Sequence, residues 1–343
     1  MAHVQGFGMI DHPYIIFLGD GEDPVEAKTG TGVAHWRPDL CMGQHSLPGG
    51  TVDLGLPSLS LAKAAKKGAK TLVIGVANEG GFIPLHWVPT LWEAVDAGLN
   101  IASGLHVRLC DIPELEVRAR ERGVTLTDIR VPSASIPVGS GLRRTGKRLL
   151  TVGTDCAVGK MYATLALAQE MQARGMAADF RATGQTGILI AGGGIPIDAV
   201  VSDFVSGAAE MLTPNNAPSH WDLIEGQGSL FHPSYASVTL GLLHGSQPDV
   251  LILCHKVGLN EIDGHPSYKI PPLQRCIDIY ETAARLTSPR AKVRGLSFNT
   301  QSLSKADARF YLHAATEKYN RPCFDPVRTG VAAMVDVLQT ISD

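Results

Sequence analysis

The stretch that decides the fold is LLTVGTDCAVGKMYATLAL, residues 149–167. The run RLLTVG (148–153) reads as a buried strand, and KMYATLALAQEMQARG (160–175) as a helix that stops at Gly175. Between them, GTDCAVGK (153–160) supplies two glycines with five residues between them and a lysine at the helix start. Strand, glycine-rich loop and helix in that order make an anion cradle. The backbone N–H groups of Asp155 through Met161 converge on the positive end of the helix, and Lys160 adds a formal charge. The expected ligand-contacting set is Gly153, Thr154, Asp155, Cys156, Ala157, Val158, Gly159, Lys160, Met161 and Tyr162. The residue after the lysine is Met161, where such loops normally carry the Ser or Thr that holds Mg²⁺. A thioether is a soft ligand that does not hold magnesium. ATP cleavage without a well-held Mg²⁺ loses much of its charge stabilisation. The loop is therefore expected to bind a phosphate-bearing ligand without hydrolysing it, and to require no metal.

Working outward, strands and helices alternate on both sides of the loop. YIIFLGDGED (14–23), TLVIGVANEGG (71–81), NIASGLH (100–106) and TLTDIRVP (125–132) read as strands. LPSLSLAKAAKKGA (56–69, capped by Ser58), VPTLWEAVDAGL (88–99) and IPELEVRARERG (112–123) read as helices. The stretch 30–55, rich in Gly, Pro and His, reads as a loop or a pair of short elements. After residue 147 the alternation restarts. MAADFRATG (176–184), HWDLIEGQGSL (220–230), VLILCHK (250–256) and RGLSFNT (294–300) read as strands, and 198–212, 235–249, 271–286 and 304–320 as helices. The expected fold class is α/β, with two doubly wound domains on parallel sheets. PSASIPVGSGLRRTGK (132–147) reads as the linker, placing one domain at 1–140 and the other at 141–343. The strand-end turns GDGED and ANEGG lie where such sheets bind ligands, and neither matches the dinucleotide fingerprint.

The composition is globular: 44% hydrophobic, 18% charged, with a formal net charge of −3. No basic run suggests nucleic acid, and no window is long and apolar enough for a membrane span. The six cysteines are scattered, with no C-x-x-C pair, which points to a reducing, cytoplasmic location. The N-terminus does not read as a signal peptide. The apolar helices of the second half are compatible with a homo-oligomer.

The loop resembles that of dethiobiotin synthetase and its relatives, whose pattern is G-T-D-T-x-V-G-K-T. ATGQTG (182–187), LIEGQGSL (223–230), VLILCHKVGLN (250–260), RGLSFN (294–299) and RPCFDPVRTG (321–330) resemble later segments of that branch in the same order. The combination of a Rossmann-like first half with a GTDCAVGKM second half is more specific. It resembles, over nearly the whole chain, a bacterial family once classed as of unknown function that includes D-glutamate N-acetyltransferase. Within that family a methionine after the lysine is ordinary. The resemblance implies transfer of an acetyl group from acetyl-CoA to the amino group of D-glutamate, in D-amino-acid catabolism. An ATP-dependent ligase or carboxylase, or a non-catalytic nucleotide or CoA binder, are the rival readings.

Such a reaction needs a base for the amine. Glu225 is the first candidate, or else it orders the glycine turn. Asp155 is a second base candidate, or it braces the loop. His232 and His255 lie beside predicted strand ends, where a histidine serves as base or as packing. The thioester oxygen needs donors, and the N–H groups of GQG (226–228) or GQTG (184–187) are available by sequence. The substrate carboxylates call for Arg or Lys. Arg181, Arg37 and Lys256 are candidates, each equally able to form an ordinary ion pair. Gln185, Thr186, Asp20, Asn78 and Glu79 at strand-end turns complete the expected substrate set. Cys156, at a helix N-terminus, also raises a covalent route, with no activating histidine evident in the sequence.

Overall fold

The computed structural model describes residues 10–23, 26–132 and 135–341, and absences noted below refer to these residues. The chain forms two compact units. One comprises Met1–Ser133 with Gln185–Ala199, and the other Ala134–Gly184 with Val200–Asp343.

The first unit is a five-stranded parallel sheet. Its strands are β1 (Tyr14–Gly19), β2 (Cys41–Ser46), β3 (Thr71–Ile74), β4 (Asn100–Ser103) and β5 (Leu126–Asp128), in the order β2-β1-β3-β4-β5. β1 and β3 are buried along their whole length, as their unbroken apolar sequences require of strands covered on both faces. The helices are α1 (Lys28–Trp36), α2 (Leu61–Lys66), α3 (Val88–Asp96) and α4 (Leu115–Arg122). Ile15, Phe17, Leu72, Ile74, Trp87, Leu91, Ile101 and Leu115 fill the core. α1 lies very close to the sheet: the Gly30 N–H donates to the Gly75 carbonyl at 2.8 Å. A Cβ on Gly75 would lie 3.1 Å from Gly30 Cα in α1 and 2.5 Å from Ile16 Cγ2 in β1, so a side chain there would crowd both the helix and the neighbouring strand.

The second unit is a six-stranded parallel sheet in the order β13-β12-β9-β6-β8-β7. Its strands are β6 (Lys147–Gly153), β7 (Ala178–Arg181), β8 (Trp221–Ile224), β9 (Val250–Lys256), β12 (Lys292–Asn299) and β13 (Cys323–Phe324). Its helices are α5 (Lys160–Ala173), α7 (Val205–Leu212), α8 (Ala236–Ser246), α9 (Leu273–Arg285), α10 (Lys305–Tyr319) and α11 (Ala332–Gln339). β10 (Glu261–Ile262) and β11 (His265–Lys269) form a small antiparallel pair. Leu149, Ala163, Leu167, Met171, Trp221, Leu223, Ile252 and Met334 are central to its core. β6 lies between β8 and β9, where the strand order reverses, so the loop after Gly153 occupies the switch point of the sheet.

The structure departs from the sequence reading in several places. The stretch 30–55 contains most of helix α1 and all of strand β2, disguised by glycines, which helix and strand propensities both disfavour. α2 is shorter than expected and is capped by Ser60, whose hydroxyl accepts the Lys63 N–H at 3.4 Å; Ser58 instead bridges to Gln44. The helix expected from 198 begins at Val205, after two single-turn 3₁₀ segments. QTGILIA forms a short helix, α6 (Gln185–Ala191), that belongs to the first unit although it follows β7 of the second. It packs on α1, with the Thr186 hydroxyl donating to Thr29 Oγ1 at 3.3 Å and Arg37 Nη1 donating to the Ile190 carbonyl at 3.0 Å. The single division near residue 140 does not contain this excursion.

Candidate functional site

The loop between β6 and α5 is held by a ring of hydrogen bonds. The Gly153 carbonyl accepts from Ser229 Oγ at 2.8 Å and from the Tyr280 hydroxyl at 2.7 Å. Tyr280 is fully buried, and burial raises its pKa, so it stays a neutral donor. Thr154 Oγ1 lies 2.9 Å from His255 Nδ1. Burial lowers the His255 pKa to about 4, which keeps the ring neutral. Asp155 is buried, and its carboxylate accepts the Cys156 N–H at 2.6 Å and the Asp263 N–H at 2.8 Å. Ala157 and Gly159 take left-handed φ values of 51° and 101° that turn the chain into the helix. A Cβ on Gly153 would lie 2.7 Å from the Asp155 carbonyl and 3.0 Å from Lys160 Nζ, so a side chain there would fill the loop.

Lys160 is the first residue of α5 and donates from Nζ to the Asp155 carbonyl at 2.8 Å. Burial lowers its pKa, while Cys156, Cys254, Asp155 and Glu225 nearby oppose the shift. The first turn of α5 carries no acidic residue, and its leading N–H groups have no intrahelical acceptor. Donors arranged in this way can receive an anion. Met161 is half-buried. The next hydroxyl on α5, Thr164, already donates to the Lys160 carbonyl at 2.8 Å and pairs with Thr151 Oγ1 at 2.9 Å. It does not substitute for the missing magnesium ligand.

Glu225 follows β8. Its Oε2 accepts the Thr183 and Gly184 N–H groups at 2.9 and 3.0 Å, and its carbonyl accepts the Thr183 hydroxyl at 2.6 Å. It thus fastens the turn after β7. The Gly226 N–H turns to Thr151 Oγ1 at 3.0 Å. Three of the N–H groups considered as oxyanion donors or lying beside them, at 183, 184 and 226, are therefore engaged inside the protein.

His232 is buried, and its Nδ1 accepts the Ser234 N–H at 3.1 Å. Burial lowers its pKa against the pull of Asp155, so the neutral ring carries its proton on Nε2. Ligating atoms of Asp155, Cys156 and His232 lie within 4.8 Å of one another. A metal would find three donors here, and a nucleophilic cysteine would find the histidine that the sequence did not reveal. However, the carboxylate and Nδ1 already accept backbone N–H groups. A second cluster, Asp179, His220 and Asp222, surrounds Arg181.

The cations expected to meet substrate have different fates. Arg181 pairs with the fully buried Asp222 at 2.7 Å and with Asp179 at 3.1 Å. Arg37 grips Asp39 from Nε and Nη2 in addition to the Ile190 carbonyl. Lys256, at the carboxyl end of β9, is exposed. Among the described residues no side-chain partner is found for it.

In the first unit, the Asp20 carboxylate accepts from Trp87 Nε1 at 2.7 Å and pairs with His86 Nε2 at 2.9 Å. The Trp87 hydrogen bond is the main reason its pKa is lowered. Asn78 donates from Nδ2 to the Phe82 carbonyl at 3.0 Å, leaving Oδ1 buried without a donor. Gln185 Oε1, pressed toward Gly104, is likewise buried without a donor. The side chain of Glu79 lies outside the described residues. Sequence reasoning missed Ser229, Tyr280 and Asp263 as supports of the loop. Ser229 lay inside the quoted EGQGSL segment; nothing in the sequence marks the other two, which arrive from distant elements.

Fold and site together define a parallel α/β protein in which one unit carries a phosphate-type loop at its switch point. Residues 137–335 match the family model "Domain of unknown function (DUF1611_C) P-loop domain" and residues 45–132 its Rossmann-like N-terminal counterpart. The chain belongs to the DUF1611 family. It is 50% identical over 97% of its length to a protein of Tritonibacter scottomollicae named D-glutamate N-acetyltransferase, all of which is covered. A protein of the same name from a Pseudoalteromonas species is 46% identical, over 95% of this chain and 98% of that one. The crystal structure of a DUF1611 family protein from Anabaena variabilis superposes with a TM-score of 0.86 at 33% identity, over 96% of this chain and all of that one. No helix among the described residues is long and apolar enough to cross a membrane.

Proposed function

We propose that this chain is a D-glutamate N-acetyltransferase that uses acetyl-CoA as its acetyl donor. The observation that carries the activity is the identity of 50% and 46%, over nearly full length, to two proteins of that name. The donor rests on the loop. Coenzyme A carries a pyrophosphate and a ribose phosphate, and the residues present fit such a ligand. The α5 N-terminus offers N–H groups without intrahelical acceptors, Gly153 and Gly159 keep the cradle open, and Lys160 is at hand to supply positive charge. Met161 removes a ligand needed for Mg-ATP chemistry without removing any phosphate donor.

When bound, the donor supplies a thioester carbon activated for attack by an amine. That carbon lies at the far end of a long arm from the phosphates. On this reading Asp155, Glu225 and His232 serve the cradle: Asp155 and Glu225 fix its walls, and His232 presents an Nε2–H. They are positioning residues, and the covalent route through Cys156 is set aside because its thiol sits among the phosphate donors. Lys256, exposed and with no side-chain partner among the described residues, is our candidate for a substrate carboxylate.

The test is to incubate the purified protein with acetyl-CoA and a panel of D- and L-amino acids and follow thiol release. The expected result is release with D-glutamate in the absence of added metal. Mg-ATP turnover without thiol release for any acidic amino acid overturns the reading in favour of a ligase. Tight CoA binding with neither reaction overturns it in favour of a binding protein.

A further inference from the structure

A second charged site lies at the other edge of the second sheet. A cavity of about 390 Å³ opens at the amino ends of β6, β9 and β12, opposite the edge that carries the phosphate loop. The seven residues of β6 separate the two edges by about 20 Å at the usual strand rise. The cavity is lined by Arg143, Arg144, Lys147, Arg290 and Arg294, with Asp249 as the one acidic lining residue. Lys147 is engaged, donating from Nζ to the Ile341 carbonyl at 2.8 Å and lying over the Trp221 ring, so the charge at issue is that of the four arginines.

Among the described residues, internal pairing does not neutralise the four arginines. Arg143 pairs with Asp249 and donates to the Gln247 carbonyl at 3.0 Å, and Arg148, fully buried beneath, also approaches Asp249. Asp249 is therefore shared between two guanidinium groups. The Arg144 side chain is only 10% exposed and donates from Nη2 to the Gly245 carbonyl at 2.7 Å. Its nearest carboxylate, Glu210, is 3.8 Å away, and its Nε is buried without an acceptor. Arg290 and Arg294 are exposed at the rim, with no side-chain partner among the described residues. Burial, aided by neighbouring Arg143 and Arg144, lowers even the Arg148 pKa to about 10. A concave site with fixed donors, a missing acceptor and uncompensated positive charge focuses an attractive field on anions. Its volume falls in the range of small-molecule sites.

We propose that this cavity binds a compact polyanion, a small molecule carrying two or more phosphate or carboxylate groups, independently of the phosphate loop. The walls are ordered by Arg143 and Arg144, and the rim arginines close on the ligand's outer charges. The proposal does not rest on the acetyltransferase reading.

The experiment uses the full chain, with inorganic pyrophosphate and citrate as separate probes in calorimetry. Lys160→Ala serves as background, so that the loop does not contribute. The comparison variant adds Arg290→Ser and Arg294→Ser, two exposed positions whose loss leaves no buried group unpaired. The expected result is binding of at least one probe that weakens 10-fold or more in the triple variant and falls as salt is raised from 0.05 to about 0.3 M. Which probe binds distinguishes a phosphate from a carboxylate ligand. A thermal melt matching the background shows that the variant is folded; were it not, Arg290→Lys with Arg294→Lys should bind nearly as the background does. No binding of either probe, or equal binding with and without the rim arginines, overturns the proposal.

Discussion

The turns after β1 and β6 occupy the same place in two parallel sheets, and they are built for opposite ends. Both follow a central strand, both begin with glycine and both carry an aspartate. After β1, Gly19 takes φ 58° and the Trp87 ring lies where a Cβ would be, 2.2 Å from that position. Asp20 accepts the Trp87 and His86 ring N–H groups. That turn is closed by an aromatic ring and its acid is used. After β6, Asp155 also bonds inward, but to backbone N–H groups of its own loop and of Asp263. Its bonds brace the loop without covering it, and the first turn of α5 is left with donors and a lysine. Topology supplies a ligand-ready edge in each sheet; whether the edge is open depends on what the acid holds.

The comparison breaks first at Lys160. Lys160→Ala is expected to weaken acetyl-CoA binding by about 100-fold, close to 3 kcal/mol, the scale of losing one charge-assisted phosphate contact. Unchanged affinity by calorimetry removes the loop from the donor site. Next is the closed turn. Gly19→Ala places a Cβ at positive φ against the Trp87 ring and is expected to destabilise the chain by about 2–3 kcal/mol in chemical denaturation. A neutral result means that Trp87 is not held there.

The third test concerns pH. His255 beside the loop has a folded pKa of about 4, below the ordinary value of 6.5. In that window the unfolded chain binds more protons, so stability is full above pH 6.5 and is lost as pH falls toward 4. His255→Asn, which keeps an amide near Thr154, should remove about 2 kcal/mol of the difference between pH 7 and pH 4.5. An unchanged slope assigns the acid sensitivity elsewhere. Smallest is Asp20→Ala, at about 1 kcal/mol, because the carboxylate is partly exposed and its bonds are at the surface. Its folded pKa is lowered, so its contribution is present above its ordinary pKa of 3.8 and lost below. The mutant's deficit should therefore shrink in melts taken in acid. A deficit that grows there contradicts the assignment.

Much of this was legible in the residues. GTDCAVGK fell between a strand ending at Gly153 and a helix starting at Lys160, as its pattern requires, and VLILCHK became the strand Val250–Lys256. Apolar runs and glycine spacing are local signals, and local physics enforces them. Helix α1 and strand β2 were obscured because their glycines serve close packing, such as Gly30 against Gly75, which no local rule encodes. Roles of charged residues were least legible. Arg181 looked available for substrate and is paired with Asp222, while Lys256 looked no different and remains exposed.

By itself the sequence determined two parallel α/β architectures, the phosphate-type loop and the loss of its magnesium ligand at Met161, because each depends on residues adjacent in the chain. Only the tertiary structure decided that Glu225 fastens the turn after β7, that Tyr280 and Ser229 hold the Gly153 carbonyl, and that Arg143, Arg144, Lys147, Arg290 and Arg294 share one cavity. A charged side chain's function is set by which opposite charge reaches it first, and that is settled by distances across the fold.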